Sequence, residues 1–149
     1  MAIDLLTFRH LLEIKRDYPN LKNVLVLGRQ HFLPPNPDER TQRQMTVYQR
    51  MLDQFEHNVK IESLIDSDGF CNSLFDFLGF DTTDYMDISE YEGANVIHDL
   101  NTDVPTYLHS KYDLVIDGGT IEHIFNVPVA FENVNNMLDI GGYFMNKRN

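Results

Sequence analysis

Three aspartates and a glycine stand where short apolar runs end, and such positions collect chemistry. "NVLVLG" at 23–28 closes on Gly28, "DYMDIS" at 84–89 carries Asp87, and "NVIHDL" at 95–100 carries Asp99. "YDLVIDGG" at 112–119 carries Asp117 and then Gly118. If these runs are strands of an open parallel sheet, their carboxyl ends share one rim, which is where such sheets hold ligands. An acidic side chain after the second strand can accept both hydroxyls of a ribose. Gly28 lets the backbone turn sharply and come close to a ligand. Each position also has a plainer reading. Gly28 can serve turn geometry alone, Asp87 can cap the loop before "SEYEG", and Asp99 in "HDLN" can form an Asx turn.

The pair Glu122–His123 follows the fourth run. A Glu beside a His is suited to general-base work, with His123 as the base, or simply to positioning its loop. His31 and His98 have no metal-ligand spacing with anything nearby. Cys71 is the single cysteine, so no internal disulfide can form and no CxxC pair exists. In "DGFCNSLFDFLGF" it reads as a small core residue, with a reactive thiol as the alternative.

The elements that must position these residues are legible from periodicity. Residues 4–17 place Leu5, Phe8 and Leu12, flanked by Leu6 and Leu11, at helical spacing, and Tyr18–Pro19–Asn20 ends the helix. The run 23–27 is a buried strand. Three prolines fall within 29–37 and make it a loop. A helix is predicted from Asn36 as cap, Pro37 as first residue and Glu39 three after the cap, with Met45, Tyr48, Met51, Leu52 and Phe55 as its stripe. A third helix covers 70–78 and stops at Gly79. A fourth covers 127–138, with Ala130, Val134, Met137 and Leu138 on one face and Gly141–Gly142 as its end, before a last strand "YFMN". Strands alternate with helices, and the strands are continuous rather than alternating apolar runs. Those two features predict an α/β fold: a doubly wound, mostly parallel sheet of about five strands with helices on both faces.

Length and composition narrow the partners. A chain of 149 residues suits one domain, here 1–149, and 42% hydrophobic residues supply an ordinary core. A formal net charge of −11 disfavours nucleic acid, which needs clustered Lys and Arg, and an anionic membrane surface. A small or neutral ligand or a basic partner remains. The start lacks the layout of a signal peptide, and no apolar run reaches the ~18–20 residues that span a bilayer, so a cytoplasmic protein is expected.

Together "NVLVLG", "DYMDISEYEGANVIHDLN" and "YDLVIDGGTIEHIFNVPVAFENVNNMLDIGGYF" resemble the class I S-adenosylmethionine-dependent methyltransferases. That family commonly shows a strand of the type "fDlV", a loop ending in "lEHi", a helix, "mLkpGG" and a final strand. Asp113, Glu122, His123, Leu138, Gly141 and Gly142 occupy those places. The resemblance covers roughly 23–30 and 84–146.

It implies S-adenosylmethionine as cofactor, with Gly28 under its methionine part and Asp87 on its ribose hydroxyls. Asp99 would meet the adenine amino group, Leu100 would pack near the ring, and Asp117 and Gly118 would line the pocket beside the sulfonium. Arg29, or Gln30, would take the cofactor carboxylate, because the family's acidic residue and glycine series at the first turn is missing here. The family continues past "GGYF" with a helix and two strands. The resemblance therefore implies a chain short at its C-terminus, whose open sheet edge a partner chain or oligomer could cover. Two other functions stay open. One is a non-catalytic cofactor- or partner-binding domain on a degenerate methyltransferase fold. The other is an NAD or nucleotide-sugar-binding Rossmann domain, for which the proline loop after Gly28 is a poor pyrophosphate turn.

Overall fold

A computed structural model describes residues 2–147. The chain divides into two compact units: Leu21–Arg29 with the stretch from Phe80 onward, and Ala2–Asn20 with Gln30–Gly79. The first unit holds a five-stranded sheet in the order β3-β2-β1-β4-β5. Its strands are β1 (Asn23–Leu27), β2 (Thr82–Asp87), β3 (Val96–Ile97), β4 (Tyr112–Asp117) and β5 (Leu138–Asn146). Every pairing is parallel. With four α-helices in the described chain, this is an α/β, Rossmann-like fold. The order reverses direction between β1 and β4, which is the topological switch point.

Local chemistry explains the sheet. Val24, Leu25, Val26 and Leu27 are all fully buried, as a continuous apolar run in a parallel strand should be. Asp113 pins the start of β1 beside the start of β4: its Oδ2 accepts the backbone N–H of Lys22 and of Asn23, both at 2.8 Å. Leu25, Leu27, Met86, Val96 and Val115 form one core with Ala130, Val134 and Met137 of α4 (Val127–Met137).

That helix ends at Met137 and the chain enters β5 at once, so Gly141–Gly142 is not its stop. The glycines lie instead in an irregularity of β5, where the partner of Tyr112 is Leu138 but the partner of Leu114 is Tyr143. Gly141 takes a φ of 80° there. A Cβ on Gly142 would stand 2.9 Å from the Asp139 carbonyl oxygen and 3.2 Å from that of Asp113.

The second unit is helical: α1 (Leu5–Asp17), α2 (Glu39–Gln54) and α3 (Asn72–Leu78). Asp4 caps α1, its carboxylate accepting Thr7 N–H at 2.8 Å. Phe8, Leu11 and Leu12 are buried, while Leu6, placed on the apolar face by spacing, is 61% exposed. The cap of α2 is Asp38, which accepts Thr41 N–H at 2.8 Å, rather than Asn36. Both are good caps; the two prolines at 34–35 and Pro37 hold the chain extended for longer than the sequence pattern implies. The α2 stripe buries Met45, Tyr48 and Leu52 and leaves Met51 and Phe55 half-buried. Gly79 closes α3 in the left-handed conformation, φ 76°. Cys71 is a fully buried thiol that takes part in no disulfide.

Candidate functional site

All five strands run the same way, so their carboxyl ends form one rim in the strand order. Along it stand His98–Asp99 after β3, Asp87 at the end of β2, Gly28–Arg29 after β1, Asp117–Gly118 at the end of β4, and Asn146–Lys147 at the end of β5. Gly28 turns with φ 69°, and its N–H donates to the Met86 carbonyl at 2.8 Å. That bond holds the first turn against the end of β2. Arg29 then runs over the Tyr85 ring, 5.7 Å from its centroid, and its Nη1 donates to the Glu92 carbonyl at 3.0 Å. The guanidinium thus reaches back along the loop that follows Asp87.

Asp87 and Asp99 stand at the ends of adjacent strands, Asp87 as the last residue of β2 and Asp99 two residues past β3. Asp87 is in register with Ile97, and its carbonyl accepts His98 N–H at 2.9 Å. The Asp87 carboxylate is half-buried, with Oδ1 accepting Ile88 N–H at 2.7 Å. Asp99 makes an Asx turn: Oδ1 accepts the N–H of Asn101 at 2.9 Å and its Nδ2 at 2.8 Å. The Asn101 backbone hydrogen bond, followed by its side-chain one, holds the Asp99 carboxyl below the ordinary carboxylate range. Leu100 is 4% exposed and belongs to the sheet core.

Asp117 is 1% exposed and engages both oxygens within the fold. Oδ1 accepts from Gly119, Thr120 and Ile121 N–H at 3.0, 2.6 and 3.3 Å, and Oδ2 from Asn146 Nδ2 at 2.7 Å. A carboxylate buried this way shapes the loop around buried Gly118. Thr120 closes the switch point from the other side, its hydroxyl donating to the Leu27 carbonyl at 2.8 Å. Beside Asp117 lies a cavity of about 270 Å³ walled by Glu122, Val127, Phe131, Asn146 and Lys147. His123 is on the short 3-10 turn Ile121–His123, 75% exposed, with Nε2 3.6 Å from Glu122. Among the described residues no cluster of three or more His, Cys, Asp or Glu could hold a metal ion. No helix there is long and apolar enough to cross a membrane.

Several residues that build the rim escape a reading by strand ends. Asn133 is 1% exposed on the apolar face of α4. Its Oδ1 accepts Val104 N–H at 2.9 Å, and its Nδ2 donates to the Leu100 and Thr102 carbonyls at 3.2 and 2.8 Å. It therefore fixes the loop that starts at Asp99. The signal was a polar residue on a stripe otherwise made of Ala130, Val134 and Met137. Asn101 also ties that loop to the entrance of α4 by accepting Asn126 N–H at 2.9 Å.

No family model matches the sequence. No curated protein matches it either. Among solved structures it is similar to the trans-methyltransferase CalH in complex with SAH, with a TM-score of 0.49 and 15% identity. The alignment covers 94% of this chain and 35% of that one, so the chain spans about a third of that protein's length. A likeness at that level transfers no residue's role.

Proposed function

We propose that this chain binds S-adenosylmethionine at the carboxyl rim and serves methyl transfer to an acceptor. The observation that carries this reading is the meeting of three groups at neighbouring strand ends: the left-handed turn at Gly28, Asp87 at the end of β2 and Asp99 just after β3. Their chemistry fits the cofactor. The Asp87 carboxylate suits two vicinal hydroxyls. Asp99, held ionised by Asn101, suits an amino group. An acidic rim favours a ligand carrying a sulfonium and an ammonium. Gly28 and Arg29 would meet the methionine end, and Asp117 and Gly118 would shape the wall beside the sulfonium. Leu100 would support the adenine side from the core beneath. The bound cofactor supplies an electrophilic methyl group; what this chain adds is binding, alignment and exclusion of water.

Calorimetric titration of the full chain with adenosylmethionine, adenosylhomocysteine and NAD tests the reading. The first two should bind, and Asp87→Ala should abolish both. Binding of NAD alone would reverse it; that outcome runs against a first turn after which α2 does not begin until Glu39. A second reading, cofactor binding without turnover, is favoured by the exposure of His123, which faces Glu122 rather than an enclosed acceptor space. Saturable cofactor binding with no methyl release to amine, hydroxyl, thiol or carboxylate acceptors would support it.

A further inference from the structure

The helical unit contains a cavity of about 280 Å³ that the rim chemistry does not use. Its floor is apolar, made of Leu12 of α1, Phe55 after α2, and Phe77 of α3. Its rim is basic, made of Lys15 and Arg16 in the last turn of α1 and His57. No carboxylate is in the wall, which is unusual for a chain with a net charge of −11. Two other hollows of the same unit have walls of both signs, Asp38 and Glu39 beside Arg40 and Arg43 in one, and Asp53 and Glu62 beside Arg50 and Lys60 in the other. The basic side chains are held over the aromatic floor. The Arg16 guanidinium stands 5.3 Å from the Phe55 ring centroid. The His57 ring meets Phe77 edge-on at 4.9 Å. Arg16 also bonds Asp17 through Nε and Nη2 at 2.8 and 3.1 Å, but that pair is solvent-exposed on both sides and yields readily to a competing anion.

We propose that this cavity binds a small aromatic carboxylate, its ring on Phe55 and Phe77 and its anion on Arg16 and Lys15. The volume lies just under the range usual for drug-sized ligands and suits one or two fused rings. A planar carboxylate matches the guanidinium fork, and the ring supplies the apolar burial. This site is independent of the adenosylmethionine reading and stands or falls without it.

Calorimetry of the full chain with 2-naphthoate, and with the neutral 2-naphthamide as control, tests it. Naphthoate should bind saturably, and naphthamide should bind about tenfold or more weakly. Arg16→Gln, at an exposed side chain, and Lys15→Gln, at a half-buried one outside the buried core, should each weaken naphthoate and together bring it to the level of the amide. Phe77→Ala should weaken both ligands; circular dichroism checks that it folds. No saturable heat with naphthoate, equal affinity for acid and amide, or naphthoate binding unmoved by the Arg16 and Lys15 changes would each overturn the proposal.

Discussion

At the scale of single residues, the rim is built by buried polar side chains whose partners are backbone groups. Asp117 is the clearest. Replacing it with Ala orphans loop N–H groups of Gly119 and Thr120 and the Asn146 amide in a buried place. Asp117→Ala should therefore lower stability by about 2–4 kcal/mol, read as a fall in the urea midpoint with unchanged slope. Asn133→Ala should cost about as much for the same reason. It should also loosen the loop at Asp99, seen as faster amide exchange at Val104 than in the wild type. The sequence pointed to Asp117 by its place after an apolar run. It could not show that both oxygens are taken up by the fold, because the loop's path and Asn146 on another strand decide that. Asn133 was hidden by the opposite error of scale: a helix stripe is read from its apolar members, and one buried amide among them looks like noise.

At the scale of elements, apolar patterning located the four α-helices and five strands of the described residues but none of the short 3-10 turns, and boundaries slipped where local chemistry offered two answers. Two acceptable caps, Asn36 and Asp38, compete before α2, and the proline-rich stretch settles the start at Glu39. The double glycine after α4 offers either a helix stop or a strand irregularity, and the parallel pairing with β4 selects the second. Glycine substitutions separate these roles. Gly79→Ala meets nothing within 4 Å and pays only for its φ of 76°, a loss of about 1–2 kcal/mol. Gly142→Ala drives a methyl into two backbone carbonyls that cannot rotate away. It should cost about 1–3 kcal/mol by overpacking and shift β5 against β4, visible as changed amide shifts at Tyr143 and Phe144.

At the scale of the whole molecule, stability should fall at both ends of the pH range for separable reasons. Asp84 is one. Burial pushes its carboxyl up, but hydrogen bonds from Lys111, Tyr112 and Asn95, with the Lys111 charge, outweigh that and leave it below the ordinary value. Its contribution is thus fully present above the unfolded carboxylate pKa of about 3.9 and is lost as pH falls through the lower folded value. Asp84→Asn should weaken the fold at neutral pH and flatten that acid limb. Tyr48 acts at the other end, together with Tyr112, whose phenol burial and the hydrogen bond to Asp84 also push up. Burial first, and then the Asp4 charge, push the Tyr48 phenol up to about 12. Its contribution is complete below the unfolded value of about 10 and disappears as pH rises through the folded one. Tyr48→Phe should remove Tyr48's share of the alkaline loss and leave that of Tyr112, measured by chemical unfolding across the range. The fold class was legible because burial and strand–helix alternation are linear in the chain. The candidate site was legible only as strand ends, since register, buried amides and the path of the first loop are set by contacts between distant segments. The single thiol offers one more consequence. Cys71 is sealed in the helical unit, so a thiol-reactive dye can label it only during a transient opening. Its labelling rate in native buffer is a built-in clock for excursions of that unit, readable without inserting any probe.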